Sequence, residues 1–278
     1  MIPYIRCFVF AFGVFCLFVA PHRVNSQVLQ ESQSEAQIQK FAKYLYNLKL
    51  YDLAAEEYER LVYLNKSNPE HLKYLIRSYR GANDINKLKT RISRIELTDP
   101  DIINEYIYAL ILESMNDEAS QLSIEHGDKF SETQQNRIAL DLSLASQDWD
   151  TSNARFSELG LAEKMKYEPL INQINNAKYK SPTKAAILSG IIPGSGRVYA
   201  KDNIDGIISL LFVASTAYQS YRRFNQKGTK SVAGWLYGGV SLGFYISNIY
   251  GSYQSAKIYN NNINKALHAK SLDIISLD

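Results

Sequence analysis

IQKFAKYLYNLKLYDLAAEEYERL, residues 38–61, carries two apolar stripes at helical spacing. Ile38, Phe41, Ala42 and Leu45 form the first; Leu53, Ala54, Tyr58 and Leu61 form the second, after a break at 50–52. Residues three and four apart share a helix face, so each stripe is the buried side of an amphipathic helix and the break is the turn of a helical hairpin. Asn68-Pro69 stops the hairpin. Adding 34 to positions 38, 41, 42, 45, 54, 58 and 61 gives Leu72, Leu75, Ile76, Tyr79, Leu88, Ile92 and Ile95, all apolar or aromatic, and Pro100 ends this second unit. One hairpin cannot bury its own apolar face, so at least three stacked units are expected. Weaker signals continue the series. Tyr106, Ala109, Leu110, Ala119 and Leu122 suggest a third unit. Ala139, Leu140, Trp149, Phe156 and Leu159 suggest a fourth, and residues 161–177 a closing helix.

A 34-residue, two-helix period is that of the tetratricopeptide repeat. Residues 51–61 resemble the second helix of that family, with Ala54, Tyr58 and Leu61 at its small, aromatic and apolar positions. The chain departs from the family at Ile76, where a small residue such as Ala42 is usual, and lacks a glycine beside the first inter-helix turn. The resemblance implies a concave surface that holds a partner protein or peptide. Charge is uneven along this region. Seven basic residues between Lys73 and Arg94 face Asp84 alone, whereas 11 acidic residues between Asp101 and Asp150 face Lys129 and Arg137. Lys73, Arg77, Arg80, Lys87 and Arg91 are therefore the candidate partner-binding residues, through charge complementarity with an extended peptide. The competing reading is a set of ordinary solvated helix exteriors.

The N-terminus reads as a targeting segment. A single positive charge in residues 1–6 precedes the 14-residue apolar run Cys7–Ala20, and small or β-branched residues follow before Gln27. This is the order of a secretory signal peptide spanning residues 1–26, the alternative being an uncleaved anchor. Both cysteines, Cys7 and Cys16, lie within it. The mature chain is then expected to have no disulfide, thiolate metal site or thiol nucleophile.

Composition changes near Lys178. Residues 27–178 hold 24 acidic and 18 basic residues; residues 179–278 hold 4 and 11. No Asp or Glu occurs between Asp205 and Asp273. Uncharged stretches run over Ala185–Gly196, Gly206–Tyr221 and Ser231–Ala256. The last, at about 1.5 Å per residue, is long enough to span a bilayer; the middle one, about 24 Å, is marginal without snorkelling arginines. The basic loop Arg222–Lys230 between them fits a cytoplasmic hairpin tip, although Lys178, Lys180, Lys184, Arg197 and Lys201 then stand on the outer side, against the same rule. Gly234 and Gly238, and Gly239 and Gly243, have the four-residue spacing of close helix packing and leave room for a homo-oligomer. A soluble helical hairpin with a buried core is the alternative.

Pro193-Gly194-Ser195-Gly196-Arg197-Val198-Tyr199, with Gly206 following, resembles the Pro-Gly-x-Gly-x-x-Tyr motif of small bacterial membrane domains that include the two-transmembrane-helix hairpin family. Pro193, Gly194, Gly196, Tyr199 and Gly206 match. Arg197 stands where glutamine is common and Ala200 where glycine is. The resemblance covers about 20 residues and implies a turn that leads into a membrane helix. The same segment lacks the Gly-Lys-Ser/Thr of a phosphate loop and any β-rich lead-in.

No residues suggest catalysis, a metal or a cofactor. His71, His126 and His268 are far apart, and no serine stands in a Gly-x-Ser-x-Gly elbow. The expectation is an all-α chain: signal peptide at 1–26, tetratricopeptide-like solenoid at 27–178, membrane helical hairpin at 179–265 and a tail at 266–278. Its expected role is a scaffold, not an enzyme, with protein and lipid as partners and no nucleic acid. It would sit in a bacterial inner membrane with the repeats in the periplasm. The alternative is an accessory of a transport or insertion system in which the C-terminal domain does the work.

Overall fold

The computed structural model describes residues 34–276; the expected signal peptide and both cysteines lie outside them. Every regular element among the described residues is helical. Four turns set the rhythm. Lys49, Asn83, Ser114 and Gln147 each adopt a left-handed conformation just after a helix ends, with φ of 60°, 59°, 61° and 58°. The residue after such a turn bonds back five positions, as in Leu50 N to Leu45 O, Met115 N to Leu110 O and Asp148 N to Ser143 O. These bonds satisfy helix-end carbonyls and turn the chain into the next helix. A glycine would adopt this conformation more readily, which is why its absence from the sequence obscured the turns.

The described residues divide into two compact units, the first ending at Ala82 and the second beginning at Asn83. In the first, α1 (Glu35–Asn47), α2 (Tyr51–Leu64) and α3 (Pro69–Gly81) pack in sequence. Asn68 caps α3 by accepting from Glu70 N, and Pro69 follows at the first helical position. Ile38, Ala42, Leu45, Ala54, Tyr58, Leu61, Leu72, Leu75, Ile76 and Tyr79 are buried. Phe41 and Leu53, expected in the same stripes, are half exposed. Tyr58 stacks on Tyr74 at 5.3 Å, and burial, with Tyr74 beside it, pushes its hydroxyl pKa up. Gly81 is needed because the ring of Tyr51 occupies the place of a side chain there.

The second unit holds α4 (Ile85–Ile92), α5 (Pro100–Leu112), α6 (Asn116–Glu125), α7 (Glu132–Ala145), α8 (Trp149–Glu158) and α9 (Leu161–Asn175). Asp84, Asp99, Ser131 and Asp148 cap α4, α5, α7 and α8. Hydrogen bonds from Thr151 hold the Asp148 carboxyl below its usual pKa; bonds from Lys87 do the same for Asp84. α5 is buried on nearly all sides, and Asp141 on α7 accepts from Tyr108 of α5 at 2.9 Å and Tyr167 of α9 at 2.8 Å. The same unit continues through α10 (Pro182–Ile191), α11 (Ser195–Tyr199), α12 (Asn203–Lys227) and α13 (Val232–Ser276).

Two boundaries differ from the expected ones. The break in compactness falls after Ala82, not near Lys178, because α13 packs against α5, α7 and α9 as well as against α10 and α12. The expected tail at 266–278 is helical through Ser276. Leu267, Ser271 and Ile275 are buried, His268 bonds to Ala145 O at 3.0 Å, and Lys270 bonds to Gln173. The pairing of the two long apolar stretches is present as α12 against α13. No helix among the described residues is long and apolar enough to cross a membrane. Serines, tyrosines, Gln219, Asn248 and Gln254 dilute both helices.

Candidate functional site

The Pro-Gly-x-Gly-x-x-Tyr segment builds a re-entrant turn. α10 starts at a Ser181 cap that accepts from Lys184 N, and its last bond is Ile192 N to Leu188 O at 2.9 Å. Pro193 follows, and Gly194 at φ +86° reverses the chain. α11 then returns along α10. Gly196 N donates to Ser189 Oγ at 2.9 Å, and Ser181 N donates to the Tyr199 hydroxyl at 3.2 Å. A side chain at Gly194 would overlap the Gly206 carbonyl, and one at Gly196 the Ala185 carbonyl. A Cβ at Gly206 would lie 2.8 Å from both the Gly194 carbonyl oxygen and the Val198 side chain. The motif residues thus converge on one tight turn.

α13 closes this turn. The Arg197 guanidinium rests on the backbone of Gly251 and pairs with Asp205 at 3.1 Å and Asp202 at 3.4 Å. Ser255 donates to Asp202 at 2.7 Å. Arg197 is therefore fixed between α11, α12 and α13. Ser189 and Ser252 share a hydrogen bond at 2.6 Å, and Tyr245 donates to Gly190 O at 2.5 Å. Further along, Ser220 donates to Gly234 O and Ser241 to Val213 O.

Polarity in this module is inverted. Ser189, Ser220, Ser241, Asn248 and Ser252 are buried between the helices. Ile207, Leu211, Leu236 and Leu242, exposed by 57%, 62%, 65% and 58%, point outward. The Asn248 carboxamide is 3% exposed with neither polar atom hydrogen-bonded, a desolvation cost whatever solvent surrounds the module. Of the candidate packing glycines, Gly234 and Gly238 lie against Phe224 and Ser220 of α12, whereas Gly239 and Gly243 face open space.

The candidate partner-binding residues fall in both units. Lys73, Arg77 and Arg80 lie on one half-buried face of α3 in the first unit. Lys87 and Arg91 are exposed on α4 in the second, where Lys87 pairs with Asp84 at 2.9 Å. One concavity lies within the acidic stretch. A groove of about 550 Å³ between α6, α7 and α8 is lined by Ser120, Ile124, Phe130, Ile138, Leu142 and Asp148. Sequence reasoning missed it because its walls come from three helices. Among the described residues no group of three or more His, Cys, Asp or Glu side chains could hold a metal ion. Comparison of the chain with family models, curated proteins and solved structures finds no match.

Proposed function

We propose that this chain is a membrane-anchored helical scaffold of the tetratricopeptide type, whose paired helices hold a partner protein outside the bilayer. The observation that carries the reading is the inverted polarity of the α10–α13 module. In water, outward Ile, Leu, Phe and Trp with inward Ser and Asn is unfavourable by roughly 1.5–3 kcal/mol for each large apolar side chain left exposed. In lipid the preference reverses, because apolar side chains are solvated by acyl chains and polar groups must be satisfied between helices.

That neither helix alone is apolar enough to cross a membrane fits insertion as a packed unit. Ser220, Ser241, Asn248 and Ser252 lower the apolarity of the two helices, but they are buried and would not meet lipid in such a unit. The charge-free length of α12 between Asp205 and Arg222 is about 25 Å, and snorkelling of Arg222 and Arg223 extends it toward the roughly 30 Å hydrocarbon thickness. A helical rather than barrel anchor suits a bacterial inner membrane, with the helix pairs on the periplasmic side and the Arg222–Lys230 tip inside.

The α6–α8 groove supports the scaffold role over that of a transport accessory, since it offers a peptide-sized concavity away from the anchor. The full chain reconstituted with phosphatidylcholine should float with vesicles after an alkaline carbonate wash. Recovery of the protein in the soluble fraction, without detergent, rejects the anchor and with it the scaffold as stated here.

A further inference from the structure

The end of the module opposite the Arg222–Lys230 tip carries lysines that the inside-positive expectation does not explain. Lys180 is not a loose surface cation. Its backbone is clamped on both sides by Asn260 of α13: Lys180 N donates to Asn260 Oδ1 and Asn260 Nδ2 donates to Lys180 O, each at 2.8 Å. Its ammonium lies 4.7 Å from the centroid of the Tyr199 ring and 5.9 Å from that of Tyr259. Lys184 lies 5.4 Å from the same Tyr199 ring. Two ammonium groups thus share one tyrosine that the motif turn holds in place. The nearby acids, Asp202 and Asp205, are engaged by Arg197 and Ser255. Immediately beyond lies the exposed apolar side of α10, at Ile187 and Ile191.

Cations already held beside one ring pay less ordering cost when an anion joins them. An apolar wall beside paired cations matches a phospholipid, acyl chains against isoleucine and phosphate over lysine. We propose that Lys180 and Lys184, framed by Tyr199 and Tyr259, bind the headgroup of an anionic phospholipid in the leaflet nearest the helix pairs. This rests on the membrane reading above and adds a lipid class and a residue set to it. It also gives Lys180 and Lys184, on the outer side of the anchor, a role in lipid binding in place of one in topology.

The test uses the full chain in a neutral detergent, with short-chain phosphatidylglycerol, short-chain phosphatidylcholine and inorganic phosphate as separate probes of thermal stability. Phosphatidylglycerol is expected to raise the melting temperature, with the other two inert. Lys180→Gln/Lys184→Gln should weaken that response about tenfold or more, from roughly one unit of favourable charge interaction lost per lysine. Lys180→Arg/Lys184→Arg and Arg222→Gln/Arg223→Gln should keep it. Equal responses to both lipids, an equal response to inorganic phosphate, or an unchanged response in the double glutamine variant overturns the proposal. Failure of the anchor itself reads differently: the chain then floats with vesicles of neither composition, whereas failure of the headgroup site leaves flotation intact and independent of lipid charge.

Discussion

Gly194 and Gly196 admit no side chain without moving backbone, whereas Gly239 faces open space in the same module. The cost of alanine should therefore split sharply. Gly194→Ala also meets a positive φ, so either motif substitution is expected to lower stability by about 2 kcal/mol or more, while Gly239→Ala changes it by less than about 1 kcal/mol. Denaturation of the three variants in detergent measures this, and equal effects would contradict the close approach described for the turn. Asp148 gives a pH-dependent counterpart. Its carboxyl is held below the usual value by Thr151, so the folded state favours the ionised form. The stabilisation is complete above the ordinary carboxylate pKa of about 4 and fades as pH falls through the lowered folded value. Asp148→Ala should accordingly separate from wild type in urea midpoint at about pH 7, and the gap should narrow as pH falls below about 4; a constant gap would exclude the cap as the source.

α13 runs 45 residues, about 68 Å, and two environments meet along it. Its first half lies against α10 and α12, its second against α5, α7 and α9. Trp149 and Tyr179 both donate to Asn264, which joins α8 and the segment before α10 to this helix. One continuous helix therefore links the apolar module to the helix pairs of its unit without a flexible joint. Removing residues 261–278 should raise amide exchange in α7 and α9 by more than about tenfold, as their cover is lost, and leave α12 unchanged. Unaltered protection in α7 would show that the helical tail is not part of that core. The stripe Ile263, Leu267, Ser271 and Ile275 has helical spacing and was available in the sequence, but Ser271 and the charged neighbours Lys265, Lys270 and Asp273 disguise it as tail. The helix pairs were legible because their apolar positions recur at 34 residues. The break at 50–52 placed the first turn, but the left-handed conformation at Lys49, Ser114 and Gln147 was not legible, since sequence alone assigns it to glycine. The re-entrant turn was legible in its glycines. Its partners were not, because Gly251, Ser252 and Asn260 lie some 50 residues or more away and reach it only through packing.

At the scale of the whole molecule, charge and polarity sort together. The acidic residues cluster on the paired helices, and the acid-free segment from Ile207 to Leu272 carries the outward apolar face. Basic groups stand at both ends of that face, at Lys180 and Lys184 and at Arg222–Lys230, as expected for a body whose two ends meet headgroups. The two cysteines lie at positions 7 and 16, so replacing them gives a background for single labels. Spin labels placed singly at Leu211, Leu242 and Thr229 in vesicle-reconstituted chain test the account most directly, through collision with oxygen, which partitions into lipid, and with a water-soluble nickel chelate. High oxygen and low nickel access at Leu211 and Leu242, with the reverse at Thr229, is the predicted result. Nickel access at Leu211 and Leu242 equal to that at Thr229 would place the outward apolar face in water and contradict it.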